Sequence, residues 1–416
     1  MGITLRILGL ALCLLFAAQP AIAAGDDPLE PPDLSEYLRW GFLRVRPGLA
    51  VSNFGHDDNV FYNASDPRGD ITLTVTPALD GLILLGSRGF MTFSENIDYT
   101  LYKKFNELNT LDHTGRYRLT LPFRNAGLFV DTELARLHER PIDLQDARTI
   151  RRSAAVAVGA IMRLGWRTTV ELAHARTEFN HTDEDFGSTD RTIGDVKDRT
   201  ENKWTARGAY VLVGRTRLTL EIADRSLEFD NPFLGSLPGV VRNLDQRTFL
   251  PGVDFGIGGA LSGRIHYGYT RLDYDDPALT DYRGIVGRTA LTYHMKGSSR
   301  ITLDAERRVD FSVWENNSYL LDNRRSIRVT RFLNRYFGLE GLYSRGTVEI
   351  PEPVQGVPRR DRVTEYSLGV VARIFENELG RKIEYALRLR DREQISSVTG
   401  FNQSRRTITL SADVGF

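Results

Sequence analysis

The chain has 416 residues in which 54 Lys and Arg balance 54 Asp and Glu, so it lacks the basic excess usual in a protein that binds nucleic acid. Its mean hydropathy is −0.30, and no apolar run approaching the roughly 20 residues of a membrane-crossing helix follows residue 24. A membrane protein built from strands escapes that test, because its lipid face alternates with a polar lumen and the average looks soluble.

Arg6 precedes a nearly unbroken apolar run, Ile7 to Ala18, and Ala21-Ile22-Ala23 supplies the small residues that a signal peptidase reads. Residues 1–23 therefore read as a secretory signal peptide. The sole cysteine, Cys13, lies within it and follows Leu12, where a lipoprotein signal would carry a small residue. The mature chain is then expected to have no disulfide and no Cys-based metal or redox site. Residues 24–42, rich in proline and acid at their start, read as a periplasmic lead-in. Tyr37 to Trp40 would rest at the membrane interface or against the barrel wall.

From Leu43 to the end one unit recurs, a stretch of about ten to fourteen alternating residues followed by a turn. The connections alternate in length. Short turns are expected at Gly86–Gly89, Pro122–Ala126, Met162–Gly165, Val213–Arg215, Gly256–Gly259, Lys296–Ser299, Leu333–Tyr336 and Asn377–Arg381. Longer polar connections are expected at Gly55–Asp70, His138–Ala147, Asn180–Lys197, Asp230–Arg242, Tyr274–Tyr282, Pro351–Arg360 and Ser396–Gln403, with shorter ones near Glu107 and Glu315. This asymmetry is that of an outer-membrane barrel. The spacing predicts an all-β, antiparallel, up-and-down transmembrane barrel of about 18 strands with a polar lumen, occupying residues 43–416.

The strand interiors agree. In Arg217–Arg225, Leu218, Leu220 and Ile222 oppose Arg217, Thr219, Glu221 and Arg225; in Lys382–Arg392, Ile383, Tyr385, Leu387 and Leu389 oppose Lys382, Glu384, Arg388, Arg390 and Arg392. A face so charged cannot be a dry core, since each unpaired buried charge costs several kcal/mol. It is expected to line water, and the apolar face to meet lipid, with Tyr99, Tyr267, Tyr269, Tyr293, Tyr366 and Tyr385 as interfacial girdles. In Val170–Glu178 the period puts His174 and Arg176 on the lipid side, which calls for a bulge or a position beyond the hydrocarbon band. The last ten residues, Thr407 to Phe416, alternate to the end, and the final Phe resembles the signal by which outer-membrane barrels are recognised for insertion.

No catalytic constellation stands out. His174, His266 and His294 fall on strands, but no strand carries the His-Ser spacing of an outer-membrane lipid hydrolase, so an enzyme is not expected. The acidic stretches Asp57-Asp58-Asn59, His181–Asp185 and Asp273–Asp276 lack a complete Ca²⁺ loop and read as solvated loops. Gly256-Ile257-Gly258-Gly259 is a turn with no helix behind it, so it is no nucleotide cradle. Neither cofactor nor metal is expected. The residues that can set selectivity are Arg217, Arg225, Arg308, Arg328, Arg388 and Arg390, whose guanidinium forks suit carboxylate or phosphate. The plainer reading is charge ladders against Asp304, Glu306 and Glu384.

Asp57-Asp58-Asn59-Val60-Phe61, followed by Asp70-Ile71-Thr72 and Thr74-Val75-Thr76-Pro77-Ala78-Leu79, resembles the start of the "putative β-barrel porin 2" family. The resemblance implies an outer-membrane barrel with a role in moving or docking extracellular polysaccharide. The expected function is a channel for a polar solute in exopolysaccharide export. A general diffusion porin and a plugged structural or adhesive barrel are the alternatives. Expected partners are outer-membrane lipid, the barrel-assembly machinery, polysaccharide and periplasmic export components, but no nucleic acid. Because the terminal aromatic completes the period-two tail, deleting Phe416 or replacing it by Lys should lower the amount of barrel in isolated outer membranes. Wild-type levels would show the tail to be an ordinary strand.

Overall fold

The computed structural model describes residues 28–139, 148–183, 194–231, 240, 242–257, 259–295, 298–312, 317–354, 357–376 and 382–415. The strands are β1 (Leu38–Trp40), β2 (Leu43–Asp57), β3 (Asp70–Leu84), β4 (Phe90–Tyr102), β5 (Thr110–Pro122), β6 (Ala126–Glu139) and β7 (Thr149–Leu164). They continue as β8 (Thr168–Asp183), β9 (Arg199–Val213), β10 (Thr216–Phe229), β11 (Leu244–Ile257), β12 (Leu261–Tyr274) and β13 (Tyr282–Met295). The last six are β14 (Ser299–Phe311), β15 (Tyr319–Phe332), β16 (Phe337–Val354), β17 (Val357–Glu376), β18 (Lys382–Ser396) and β19 (Gln403–Gly415). Each strand from β2 to β19 pairs antiparallel with the next, and β19 returns to β2, so the sheet is a closed barrel of 18 strands. The short β1 only folds back on the foot of β2, Leu38 against Val45.

Closure is the physical reason for the fold, since no water within hydrocarbon can satisfy an open strand edge. The seam needs a special device. Asn53 adopts φ +60° and forms a bulge in β2, shifting its register against both β3 and β19. Its amide donates to Thr74 Oγ1 at 3.0 Å, and Thr72 Oγ1 donates to its carbonyl at 3.0 Å. Two residues on, a Cβ at Gly55 would lie 1.8 Å from the Ile408 carbonyl oxygen, so only glycine lets β19 approach.

The wall is inside out relative to a soluble domain. Leu368 is 69% exposed and Leu387 51%, whereas Arg151 is fully buried and Arg359 is 1% exposed. The expected girdle tyrosines Tyr99, Tyr267, Tyr269, Tyr293 and Tyr366 are all exposed on the outer face, and Tyr385 is half-buried there. At His174 and Arg176 there is no bulge, because the β7–β8 and β8–β9 ladders run without a shift. Both point outward. His174 stacks on the exposed Trp204 ring, centroids 4.4 Å apart, and Arg176 pairs with Glu178 at 3.1 Å.

The strands break at each expected short turn, between β3 and β4 and at each second connection thereafter; Asn377–Arg381 itself, with Lys296 and Gly297, lies outside the described residues. One expectation is corrected. Pro351–Arg360 is not a long loop: β16 and β17 reach 18 and 20 residues and remain paired up to Val354 and Val357. Pro351 and Pro353 fit beside a register shift between Ile350 and Pro353, where a missing N–H does least harm. The remaining long connections, near Glu107 and Glu315 included, lie on the opposite rim, and those after β6, β8, β10 and β14 fall partly outside the described residues, as does Phe416.

The seam makes a prediction. Gly55→Ala should cost roughly 1–3 kcal/mol of overpacking and lower the temperature at which the folded barrel band converts to the unfolded one on gels. Gly48→Ala, whose methyl would meet Ala78 Cβ at an ordinary 3.5 Å, should not. Equal melting of the two would remove the close approach as the reason for the glycine.

Candidate functional site: the charged lumen and its outer mouth

Successive strands project their inward residues as cross-strand charge pairs, and three carboxylates are each shared by two arginines. Glu201 takes Arg199 and Arg225, both at 2.7 Å. Asp322 takes Arg308 and Arg324, both at 3.0 Å. Glu340 takes Arg388 at 2.9 Å and Arg328 at 3.5 Å. The last bridge spans three strands. Glu340 on β16, Gly369 on β17 and Arg388 on β18 lie in register, and Arg388 crosses above the glycine, its Cγ 3.0 Å from where a Cβ would stand. Arg388 also donates to Ser411 Oγ at 3.1 Å. Arg390 pairs with Glu365 at 3.1 Å, and Arg392 follows on the same inward face of β18. One site reverses the ratio: Arg207 spans Glu171 at 3.2 Å and Glu221 at 3.0 Å.

All six arginines read from the sequence stand on inward faces. Arg328, Arg388 and Arg390 come together on β15 and β18. Arg308 sits higher on β14. Arg225, which also donates to Gln246 at 3.1 Å, stands on β10, eight strands around from β18. Arg217 lies lower on that strand, in register with Asp254. Of the expected ladder acids, Glu384 pairs with Arg373 at 3.1 Å, and Asp304 accepts from Ser326 Oγ at 3.4 Å.

Inward side chains become more buried toward the rim of long connections. Near the short-turn rim and midway up the wall inward charges are open to water, Arg46 at 39% and Arg116 at 45% side-chain exposure. At the other rim Arg151, Lys197, Arg199 and Glu201 are buried. Burial lowers the pKa of Lys197, against the raising effect of Glu139, which it meets at 3.3 Å.

A hairpin tip completes the mouth. β13 and β14 stop pairing at Gly287–Arg307, while β14 and β15 stay paired to Phe311–Tyr319. Freed from the wall, the tip tilts inward. Phe311 meets the inward Phe229 edge-on at 5.0 Å, and Tyr319 meets Tyr282 at 5.0 Å. Val309 joins Leu227, Leu244 and Leu272 in one buried cluster. Arg242, fully buried, ties the tip down: it donates to Ser312 O at 2.6 Å and to Val196 O, and stacks on Phe229 at 4.4 Å. Burial lowers its pKa to about 9, so it stays charged at neutral pH. These mouth residues were missed by reading charges alone. Their signal was present, because Leu227 and Phe229 are apolar residues on the parity of Arg225. At the other mouth Leu29 packs on Phe129 and Ile161, bringing the lead-in onto the inner wall.

The acidic stretches are engaged within the fold. Asp57 holds Arg405 at 2.9 Å, Asp58 accepts from Arg406 N at 2.7 Å, Asp273 pairs with Arg271, and Asp276 accepts from Ala278 N at 2.9 Å. Glu184 and Asp185 lie outside the described residues.

A closed barrel with a charged interior and a lipid-facing apolar wall is an outer-membrane β-barrel of the porin type. The chain belongs to the family described as "Putative beta-barrel porin 2", whose model matches residues 38–416. Among solved structures it is similar to OpdK (OccK1) of Pseudomonas aeruginosa, at 10% identity over 89% of this chain and 98% of that one, TM-score 0.50. It is also similar to OccK2 of the same organism, at 12% identity over 89% and 98%, TM-score 0.49. A BenF-like porin of Pseudomonas fluorescens Pf-5 follows at 10% identity over 89% and 99%, TM-score 0.49. No curated protein matches the chain. The protein resides in the bacterial outer membrane.

The mouth gives a second test. Arg242→Ala would leave two buried carbonyls without a donor at a cost of about 1–3 kcal/mol. The docked tip should loosen, and single-channel conductance should rise with more frequent transitions. Unchanged conductance in a folded variant would place the tip outside the permeation path.

Proposed function

We propose that this porin passes anionic polar solutes, carboxylate-bearing saccharides foremost. The observation that carries the reading is the repeated sharing of one carboxylate by two arginines, at Glu201, Asp322 and Glu340. Each of these sites carries two positive charges to one negative, and guanidinium groups match carboxylates in planar, two-pronged geometry. An acidic exopolysaccharide is the polymeric member of this class. That links the charge pattern to the export role implied by the family resemblance. OpdK has been solved with vanillate, itself a carboxylate, which makes small carboxylates the natural first probes.

The test is planar-bilayer recording with glucuronate and glucose on wild type and on Arg328→Gln with Arg388→Gln. A unit charge about 10 Å from a permeating ion in water is worth about 0.4 kcal/mol, so removing two should cut anion preference roughly fourfold at low salt. Glucuronate should block or permeate wild type better than glucose and lose that advantage in the variant. Equal behaviour of the two solutes in wild type would leave a general diffusion porin; no conductance at all would leave a structural barrel.

A further inference from the structure

The outer wall carries arginines as well, and several have an acid beside them. Arg247 pairs with Asp224 at 3.7 Å, Arg406 with Asp391 at 3.4 Å, Arg176 with Glu178 at 3.1 Å, and Arg271 with Asp273. One patch differs. On β15 and β16, Arg325 and Arg345 are direct cross-strand partners, both exposed. Arg307 on β14 is diagonal to Arg325, whose direct partner there is Ala305. Arg362 on β17 is diagonal to Arg345, whose direct partner there is Thr364. Among the described residues none of the four has a carboxylate within ion-pair range. Arg307 is held only by neutral groups, Ile285 O and Asn323 Oδ1, each at 2.9 Å. Like charges directly opposite on neighbouring strands repel, so this arrangement favours a bound anion.

Its position says which kind. One step toward the short-turn rim on the same outward face lie Leu303, Ile327, Tyr343 and Tyr366, all exposed. The Tyr343 and Tyr366 rings pack 5.2 Å apart, as an interfacial girdle does. The cationic row therefore stands at the headgroup level with an apolar wall beneath it. Thr347, Thr364 and Asn323 add hydroxyl and amide groups within the row.

We propose that Arg307, Arg325, Arg345 and Arg362 form a docking site for the phosphorylated headgroup of an outer-leaflet lipid, with its acyl chains lying along Leu303, Ile327, Tyr343 and Tyr366. Guanidinium forks bind phosphate oxygens in pairs, and four of them suit a headgroup with more than one phosphate. A free phosphate would gain nothing from the apolar wall. A soluble acidic protein would not reach a surface at the membrane interface. The site is independent of the lumen and of the solute that passes.

The experiment uses the full barrel in non-ionic detergent, titrated with bis-phosphorylated lipid A and followed by native mass spectrometry. Wild type should retain a lipid adduct that Arg325→Gln with Arg345→Gln weakens about tenfold or more. Monophosphorylated lipid A should bind more weakly than the bis-phosphorylated form, and millimolar inorganic phosphate should not compete. Should the double variant fail to fold, Arg325→Lys with Arg345→Lys keeps the charge while removing the forks, and should show partial loss. An adduct that survives either pair of substitutions at full strength overturns the proposal. So does displacement by inorganic phosphate alone, which would make this a simple anion site.

Discussion

Every feature of this molecule depends on closing one seam, the pairing of β19 with β2. A strand in hydrocarbon cannot leave its backbone groups unpaired, so 17 correct pairings without the eighteenth would not be a membrane protein. The first and last strands are over 340 residues apart in sequence, and the chain fastens them with more than backbone bonds. Arg405 reaches Asp57, Asn59 donates to Ser404 O at 3.1 Å, and Asp58 takes Arg406 N. The bulge at Asn53 and the missing side chain at Gly55 let the strands come close enough for these contacts.

This gives the family motif a physical meaning. Asp57-Asp58-Asn59 looks like a ligand loop when read alone, yet its carboxylates and amide are consumed by β19. Asp70 serves likewise, accepting Lys104 N at 2.9 Å and Phe105 N at 3.1 Å to hold the next connection. The most recognisable stretch of the chain is thus its fastening. The inward charged residues are scattered around the wall, from Arg46 on β2 to Arg392 on β18, and share no local spacing.

Charge is used differently on the two faces. Inside, three carboxylates are each shared by two arginines, at Glu201 and Asp322 near the outer rim and at Glu340 lower in the lumen. Toward the outer rim the same side chains become buried, and there they are satisfied by carbonyls and aromatic faces, as Arg242 is by Ser312 O and Phe229. Outside, most charge stands toward the outer rim, and the mid-wall carboxylate of Glu95 is met by His113 and Tyr117. The rest of that wall is largely apolar, because a charge at the hydrocarbon midplane costs roughly 2–4 kcal/mol.

Strand number, the alternation of short and long connections, and the inward direction of Arg217, Arg225, Arg308, Arg328, Arg388 and Arg390 were all legible in the sequence. They follow from a period of two, which is a local property of the chain. Partnership was not legible. That Arg388 crosses Gly369 to reach Glu340 depends on register between strands, and no single strand records it. Nor did the sequence show that Pro351–Arg360 is paired strand, since prolines suggest a loop until a ladder supplies the shifted register that tolerates them. The inward tilt of the β14–β15 tip was decided by tertiary contact alone. Val309 and Phe311 have the parity of lipid-facing residues, and only the end of pairing with β13 lets them turn onto Phe229 and fill the mouth.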